Sequence, residues 1–165
     1  MTPCRSLGCA ALLVANLSLS TAVAAFEVDG FRSGMPIEDA IKIAKQKGFA
    51  YSATPSRGLD NYVYGSTNGG PGLGYANDKL CILGRFNSGD MHRFVELLNQ
   101  RLSLLGPATY EVHEEIMDNG DKFSQLAAKW RRGNDYAHVI ISKVGKRPDD
   151  ISDQYRDLAI CPEKP

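Results

Sequence analysis

Phe123-Ser-Gln-Leu-Ala-Ala-Lys-Trp-Arg-Arg-Gly-Asn-Asp-Tyr-Ala-His-Val-Ile-Ile-Ser-Lys-Val144 reads as two strands around a two-residue turn at Gly133-Asn134. A glycine-led dipeptide between two alternating runs is a hairpin signal. That turn pairs Trp130 with Ala137, Ala128 with Val139 and Leu126 with Ile141, which puts six apolar side chains on one face. Side chains alternate along a strand, so the other face carries Arg131 beside Tyr136, Lys129 beside His138 and Gln125 beside Ser142. The first face is the one to bury.

The strand before this ribbon, Thr109 to Met117, can join it in two ways. A two-residue Asn119-Gly120 turn sets His113 against Leu126. A three-residue Asp118-Asn119-Gly120 loop, with Gly120 left-handed, sets Val112 against Leu126 and Tyr110 against Ala128. The second agrees with the next hairpin, and it adds Glu111, His113 and Glu115 to the polar face. A last strand is read at Gln154 to Cys161, after a loop at Arg147-Pro-Asp-Asp.

Upstream, Ile37, Ala40, Ile41 and Ala44 recur at helical spacing behind Pro36, with Glu38 and Asp39 at the positive dipole end, lysines toward the other end and Gly48 as the stop. Ser88 is read as the cap of a second helix whose stripe is Met91, Phe94, Val95, Leu98, Leu102 and Leu105, ending at Gly106-Pro107. Between the helices lie strand candidates at Phe49–Thr54, Asn61–Tyr64 and Lys79–Phe86. The glycine-rich stretch Gly65 to Gly74 is read as a loop, which lacks the Gly-Lys-Ser/Thr ending of a phosphate cradle. The expected class is α+β: two helices packed on one face of a mainly antiparallel sheet of about six or seven strands.

Residues 1–25 carry Arg5, the apolar run Ala10 to Ala15 and the small residues Ala22, Val23, Ala24 and Ala25. They read as a secretory signal peptide, with Ala22 and Ala24, or Val23 and Ala25, as the small side chains ahead of the cut. Residues 26–165 then form one periplasmic or secreted domain with no membrane span after cleavage. Cys4 and Cys9 leave with the signal, and Cys81 and Cys161, both read as lying in buried strands, are expected to form a disulfide in an oxidising compartment.

With 19 basic and 19 acidic side chains among 165 residues, the chain has no net field to collect polyanions, so nucleic acid is set aside as a partner. His113 and His138 fall two strands apart and four residues out of step, about 16 Å at ordinary sheet spacings. Bonds to a shared ion are about 2 Å long, so no metal site and no cofactor is expected. Asp149-Asp150 and Glu114-Glu115 are adjacent in sequence, so on a strand their members point to opposite faces. No serine, histidine and acid can be grouped, and the chain is read as not an enzyme.

Gly30-Phe-Arg-Ser-Gly-Met-Pro-Ile-Glu-Asp-Ala40, ending in Lys47-Gly-Phe49, resembles the Gly-Met-Thr/Pro helix opening of beta-lactamase-inhibitor-protein-like and small outer-membrane assembly lipoprotein-like periplasmic domains. The resemblance implies a helical unit ahead of an antiparallel sheet, with one sheet face covered by helices and the other open to a protein partner. Pro36 stands where threonine is commoner, and no lipidation cysteine stands at the mature N-terminus, which speaks against a membrane-tethered assembly factor.

The function expected is therefore a protein-binding or inhibitor-like module whose partner is an envelope or secreted protein. Arg131 and Tyr136 are its rim anchors, and Lys129, His138 and His113 its adjustable polar contacts. The alternatives are a hydrolase with a site assembled from distant segments, and a structural envelope protein that binds peptidoglycan or a small ligand.

Overall fold

The computed structural model describes residues 25–49, 51–55, 62–66 and 70–162. The signal-peptide reading of residues 1–25 therefore lies, but for Ala25, outside the described residues. The elements run β1 (Glu27–Val28), β2 (Phe31–Arg32), α1 (Ile37–Gln46), β3 (Tyr51–Pro55), β4 (Tyr62–Ser66), β5 (Gly72–Ala76), β6 (Lys79–Gly89), α2 (Met91–Leu105), β7 (Thr109–Ile116), β8 (Lys122–Arg132), β9 (Asp135–Val144) and β10 (Asp149–Asp157). β1 and β2 form a small hairpin of their own. The other eight strands make one antiparallel sheet in the order β3-β4-β5-β6-β10-β9-β8-β7.

Two meanders thus meet in the middle. The first ends at β6, α2 carries the chain across to the far edge, and the second meander works back until β10 lies beside β6. One cross-strand row, Leu73, Leu83, Tyr155, Ala137 and Trp130, traverses five strands from β5 to β8 and defines the inner face. α1 packs on its β5–β6 end through Ile37, Ala40 and Ala44, together with Phe26 and Phe31 of the small hairpin. α2 packs on its β8–β10 end through Phe94 and Leu97 against Ala128, Trp130, Val139, Ile141 and Ile151. Both helices therefore lie on one face, the α+β arrangement expected. Five of the eight strands, β5, β6, β8, β9 and β10, carry the two cores, and β3, β4 and β7 extend the sheet.

The C-terminal ribbon has the expected register. Trp130 pairs with Ala137, Ala128 with Val139 and Leu126 with Ile141, and Val112 and Tyr110 oppose Leu126 and Ala128. Gly120 has φ +83°, and Met117 N–H donates to Asp121 O across the three-residue loop. The indole of Trp130 is buried, and its Nε1–H donates to Gly106 O at 2.8 Å, tying β8 to the end of α2. The disulfide joins Cys81 and Cys161 across 80 residues. Closing a loop of that length is worth about 4 to 5 kcal/mol on chain-entropy arguments.

Four readings need correction. Ser88 does not cap α2: β6 continues through Ser88 and Gly89, which pair with Asp150 and Asp149, and Asp90 takes the cap, accepting from Arg93 N–H at 3.0 Å. Both ends of the stretch read as a loop are strand: Gly65 and Ser66 close β4, and Gly72 to Gly74 open β5, which Asn77 and Asp78 (φ +49° and +59°) fold onto β6 in a two-residue turn. Bare Gly74 lets Ile82 pack across it, since an added Cβ would stand 2.8 Å from the Ile82 Cβ. The last strand begins at Asp149 and ends at Asp157, so Cys161 lies beyond the sheet, in a turn where its N–H donates to Asp157 O. Finally, Met91 and Val95 are 53% and 42% exposed, and Leu97 takes a buried place in the stripe. α2 leans on β9 and β10, and Met91 borders an open hollow of about 340 Å³ with Val112, Leu126 and Ile141.

Candidate functional site

Among the described residues no helix covers the outer face of the sheet. Three rows cross it. Ile82, Arg156, Tyr136 and Arg131 form the first, Gly84, Gln154, His138 and Lys129 the second, and Phe86, Ser152, Ile140 and Ala127 the third. All five residues singled out from the sequence stand on this face: Arg131, Tyr136, Lys129 and His138 in adjoining rows, and His113 opposite Gln125 on the edge strand β7. The floor they surround was not foreseen. Phe86, Gln125, His138, Ile140, Ser152 and Gln154 border a shallow hollow of about 640 Å³, with the Phe86 ring 69% exposed at its rim. Gln125 and His138 follow from the hairpin, but placing Phe86, Ser152 and Gln154 beside them needed the neighbours of β10 in the sheet, which no local pattern supplies.

His138 is the centre of this arrangement. Its Nε2 lies 3.1 Å from Ser152 Oγ, Tyr136 meets it edge-on at 5.6 Å between ring centroids, and its Nδ1 is buried without a hydrogen-bond partner. Burial pushes the imidazole pKa down from 6.5 to about 4; nearby Asp153 opposes that shift, while Lys129 and Arg156 add to it. The ring is neutral at physiological pH, part of a floor more than a charged contact.

A serine and a histidine at hydrogen-bond distance invite comparison with a catalytic dyad. An efficient base needs a pKa near working pH and an orienting group on its second nitrogen. His138 has a pKa near 4 and no partner on Nδ1. The pair is poorly matched to proton abstraction. Among the described residues no group of three or more His, Cys, Asp or Glu side chains could hold a metal ion.

The charged rim is internally organised. On the outer face Lys129 bonds Glu111 and His113 lies 3.4 Å from Glu115, while Lys122 bonds Glu114 at 2.8 Å on the inner side of the same edge. These pairs quieten the acids of β7, whose inward-pointing Val112 and Ile116 are nonetheless 73% and 71% exposed, beyond the reach of α2. On the inner face, a groove of about 450 Å³ lies between the small hairpin and α2, bordered by Phe26, Val28, Arg101, Leu105, Trp130 and Tyr155. Arg101 there is committed to Asp153, through Nε at 3.0 Å and Nη2 at 2.6 Å, with its guanidinium 4.6 Å over the Tyr155 ring.

Comparison of the chain with protein-family models, with curated proteins and with solved structures finds no match.

Proposed function

We propose that the protein is exported, to the periplasm or beyond, and acts there as a non-catalytic, inhibitor-like module that binds another protein on the outer face of its sheet. One observation carries this reading: a face several strands wide that no described helix covers, with a neutral floor around His138, an aromatic rim at Phe86 and Tyr136, and a cationic end at Arg131 and Arg156. Aromatic and arginine side chains around a desolvated centre are the usual anchors of protein recognition. Export is supported by the apolar leader and by the Cys81–Cys161 disulfide, which persists in oxidising compartments. No described helix is long and apolar enough to cross a membrane. The helix opening at Met35-Pro36, with its resemblance to inhibitor-like envelope domains, points the same way.

The test is affinity capture from envelope extract with the wild type, a Phe86→Ala/Arg131→Ala/Tyr136→Ala variant and a Val112→Lys variant on β7. The outer-face triple variant is expected to lose the partner and the β7 variant to keep it. The reverse pattern moves the contact to the sheet edge, and equal recovery by all three removes both surfaces. The hollow is also roomy enough for a sugar, the observation that favours the ligand-binding alternative. Titration with soluble peptidoglycan fragments, followed through Tyr136 and His138 resonances, separates that reading from a protein partner.

A further inference from the structure

A buried carboxylate without a cation sits at one end of the inner face. Asp157 is 8% exposed, on the last pair of β10, directly opposite Asp135 of β9. Its Oδ2 accepts the Ser33 hydroxyl at 3.0 Å and its Oδ1 accepts the Ala159 backbone N–H at 3.0 Å. Both donors are neutral, and none of the ion pairs among the described residues reaches Asp157. The facing Asp135 carboxyl is pushed above the usual range by burial and then by Asp157, with Arg132 pulling the other way. Buried charges are ordinarily paired. Here the hydrogen-bond partners of Asp157 are neutral, and the nearby guanidinium of Arg132 acts on Asp135.

The missing charge lies within reach of the chain's own backbone. The Ala25 N–H donates to Ser33 Oγ at 2.8 Å, so the Ala25 nitrogen, the Ser33 hydroxyl and the Asp157 carboxylate form one relay. Its register is held next door, where Ser33 N–H donates to Phe26 O at 3.0 Å and the Phe26 ring is buried in the α1 core. Of the two cuts that the small residues permit, the one before Ala25 turns this peptide nitrogen into an amine. The cut after Ala25 deletes the nitrogen and places a charged terminus on Phe26, whose ring is buried in the core.

We propose that the leader is removed between Ala24 and Ala25, and that the new α-ammonium of Ala25 is the cation of the Ser33–Asp157 site. This rests on the exported reading above. In the cleavage, water adds its oxygen to the Ala24 carbonyl carbon, the C–N bond breaks, Ala24 leaves as a carboxylate and Ala25 as an amine. An unperturbed α-amine has a pKa of about 7.7–8.0 and so is largely protonated at neutral pH. The ammonium has three donors where the peptide had one. It keeps the Ser33 bond and brings two more N–H groups and a positive charge to the buried Asp157 carboxylate and its exposed neighbour Asp135. Processing thereby completes the folded domain and fastens its first strand.

The full chain, expressed in a host with a leader peptidase, is read by intact mass and by sequencing of its N-terminal peptide. A single start at Ala25 is expected. A start at Phe26, or at any other residue, overturns this inference and leaves export standing; retention of the whole leader overturns both. The α-amine of the purified mature protein is then acylated with a succinimidyl ester at pH 7, lysine labelling serving as internal reference. Labelling of Ala25 is expected to be at least about tenfold slower in the folded than in the urea-unfolded protein, as for groups exposed only by opening. Ser33→Ala and Asp157→Asn are expected to raise the folded-state rate. Equal rates for folded and unfolded wild type, a comparison that needs no variant, overturn the assignment.

Discussion

The two faces of the sheet are built from the same strands and differ in what completes them. On the inner face the buried polar groups among the described residues find partners from other elements: Asp153 is held by Arg101 of α2, Asp157 by Ser33 of the small hairpin, and the Trp130 indole by the Gly106 carbonyl. On the outer face burial is achieved by neighbours within the sheet itself, and it leaves His138 Nδ1 unpaired. The inner face is finished by tertiary structure except at Asp157, whose two donors are neutral. The outer one retains unsatisfied hydrogen-bonding capacity and an exposed aromatic, features of a surface that is completed by something else.

The contrast breaks most severely at Trp130. Truncation to Ala removes the largest side chain of the α2 core and strands the Gly106 carbonyl, with a loss of about 3–5 kcal/mol expected from such substitutions. Urea denaturation checks this. A midpoint within experimental error of wild type would mean that the β8 indole does not hold α2 to the sheet.

A comparable effect is expected at the Arg101–Asp153 pair, where the structure went beyond what patterning could reveal. Both side chains are buried, and Arg101→Ala leaves an uncompensated carboxylate, a loss of about 3–5 kcal/mol. Replacing both, as Arg101→Met with Asp153→Val, is expected to recover most of that stability, because no charge is then left buried. Additive losses in the double-mutant cycle would show that the two residues act separately.

These acids also explain which parts of the fold were legible. The β8–β9 ribbon could be paired from its text because apolar residues alternate strictly about one short turn, and a slip of one residue would turn Trp130 to solvent. β10 could not. Its inward set is Ile151, Asp153, Tyr155 and Asp157, so two of the four inward positions look polar until Arg101 and Ser33 arrive from 52 and 124 residues away in sequence. Patterning therefore points to the apolar run around Cys161, which is buried by the disulfide and a turn instead of by sheet pairing. The same limit applied to the candidate site. Parity placed Arg131, Tyr136, Lys129, His138 and His113 on one face, but Phe86 and Ser152 join them only because β10 slots between β6 and β9.

At His138 the expected effect is smaller and depends on pH. The folded-state pKa of about 4 lies below the ordinary 6.5, so as pH falls the unfolded chain takes up this proton first. Stability is full above about pH 6.5 and declines toward pH 4, by on the order of 3 kcal/mol if the whole shift is expressed. His138→Gln is expected to flatten that part of the profile. Denaturation midpoints at pH 7 and pH 4.5 measure the difference directly, and parallel profiles for the two proteins would place the imidazole in water.

The smallest change in stability, and the sharpest test of the contrast, is expected at the outer rim. Phe86→Ala and Tyr136→Ala remove aromatic rings that no helix covers, and substitutions at such surface positions usually shift stability by about 0.5 kcal/mol or less. Phe86 is 69% exposed, and its ring leans toward Gly84, where an added Cβ would meet it at 3.5 Å. Its removal opens no cavity in either core. A denaturation midpoint unchanged by Phe86→Ala, in a protein that no longer retains its partner, would separate recognition from folding. A loss as large as that at Trp130 would mean that the ring is structural and that the outer face is already complete.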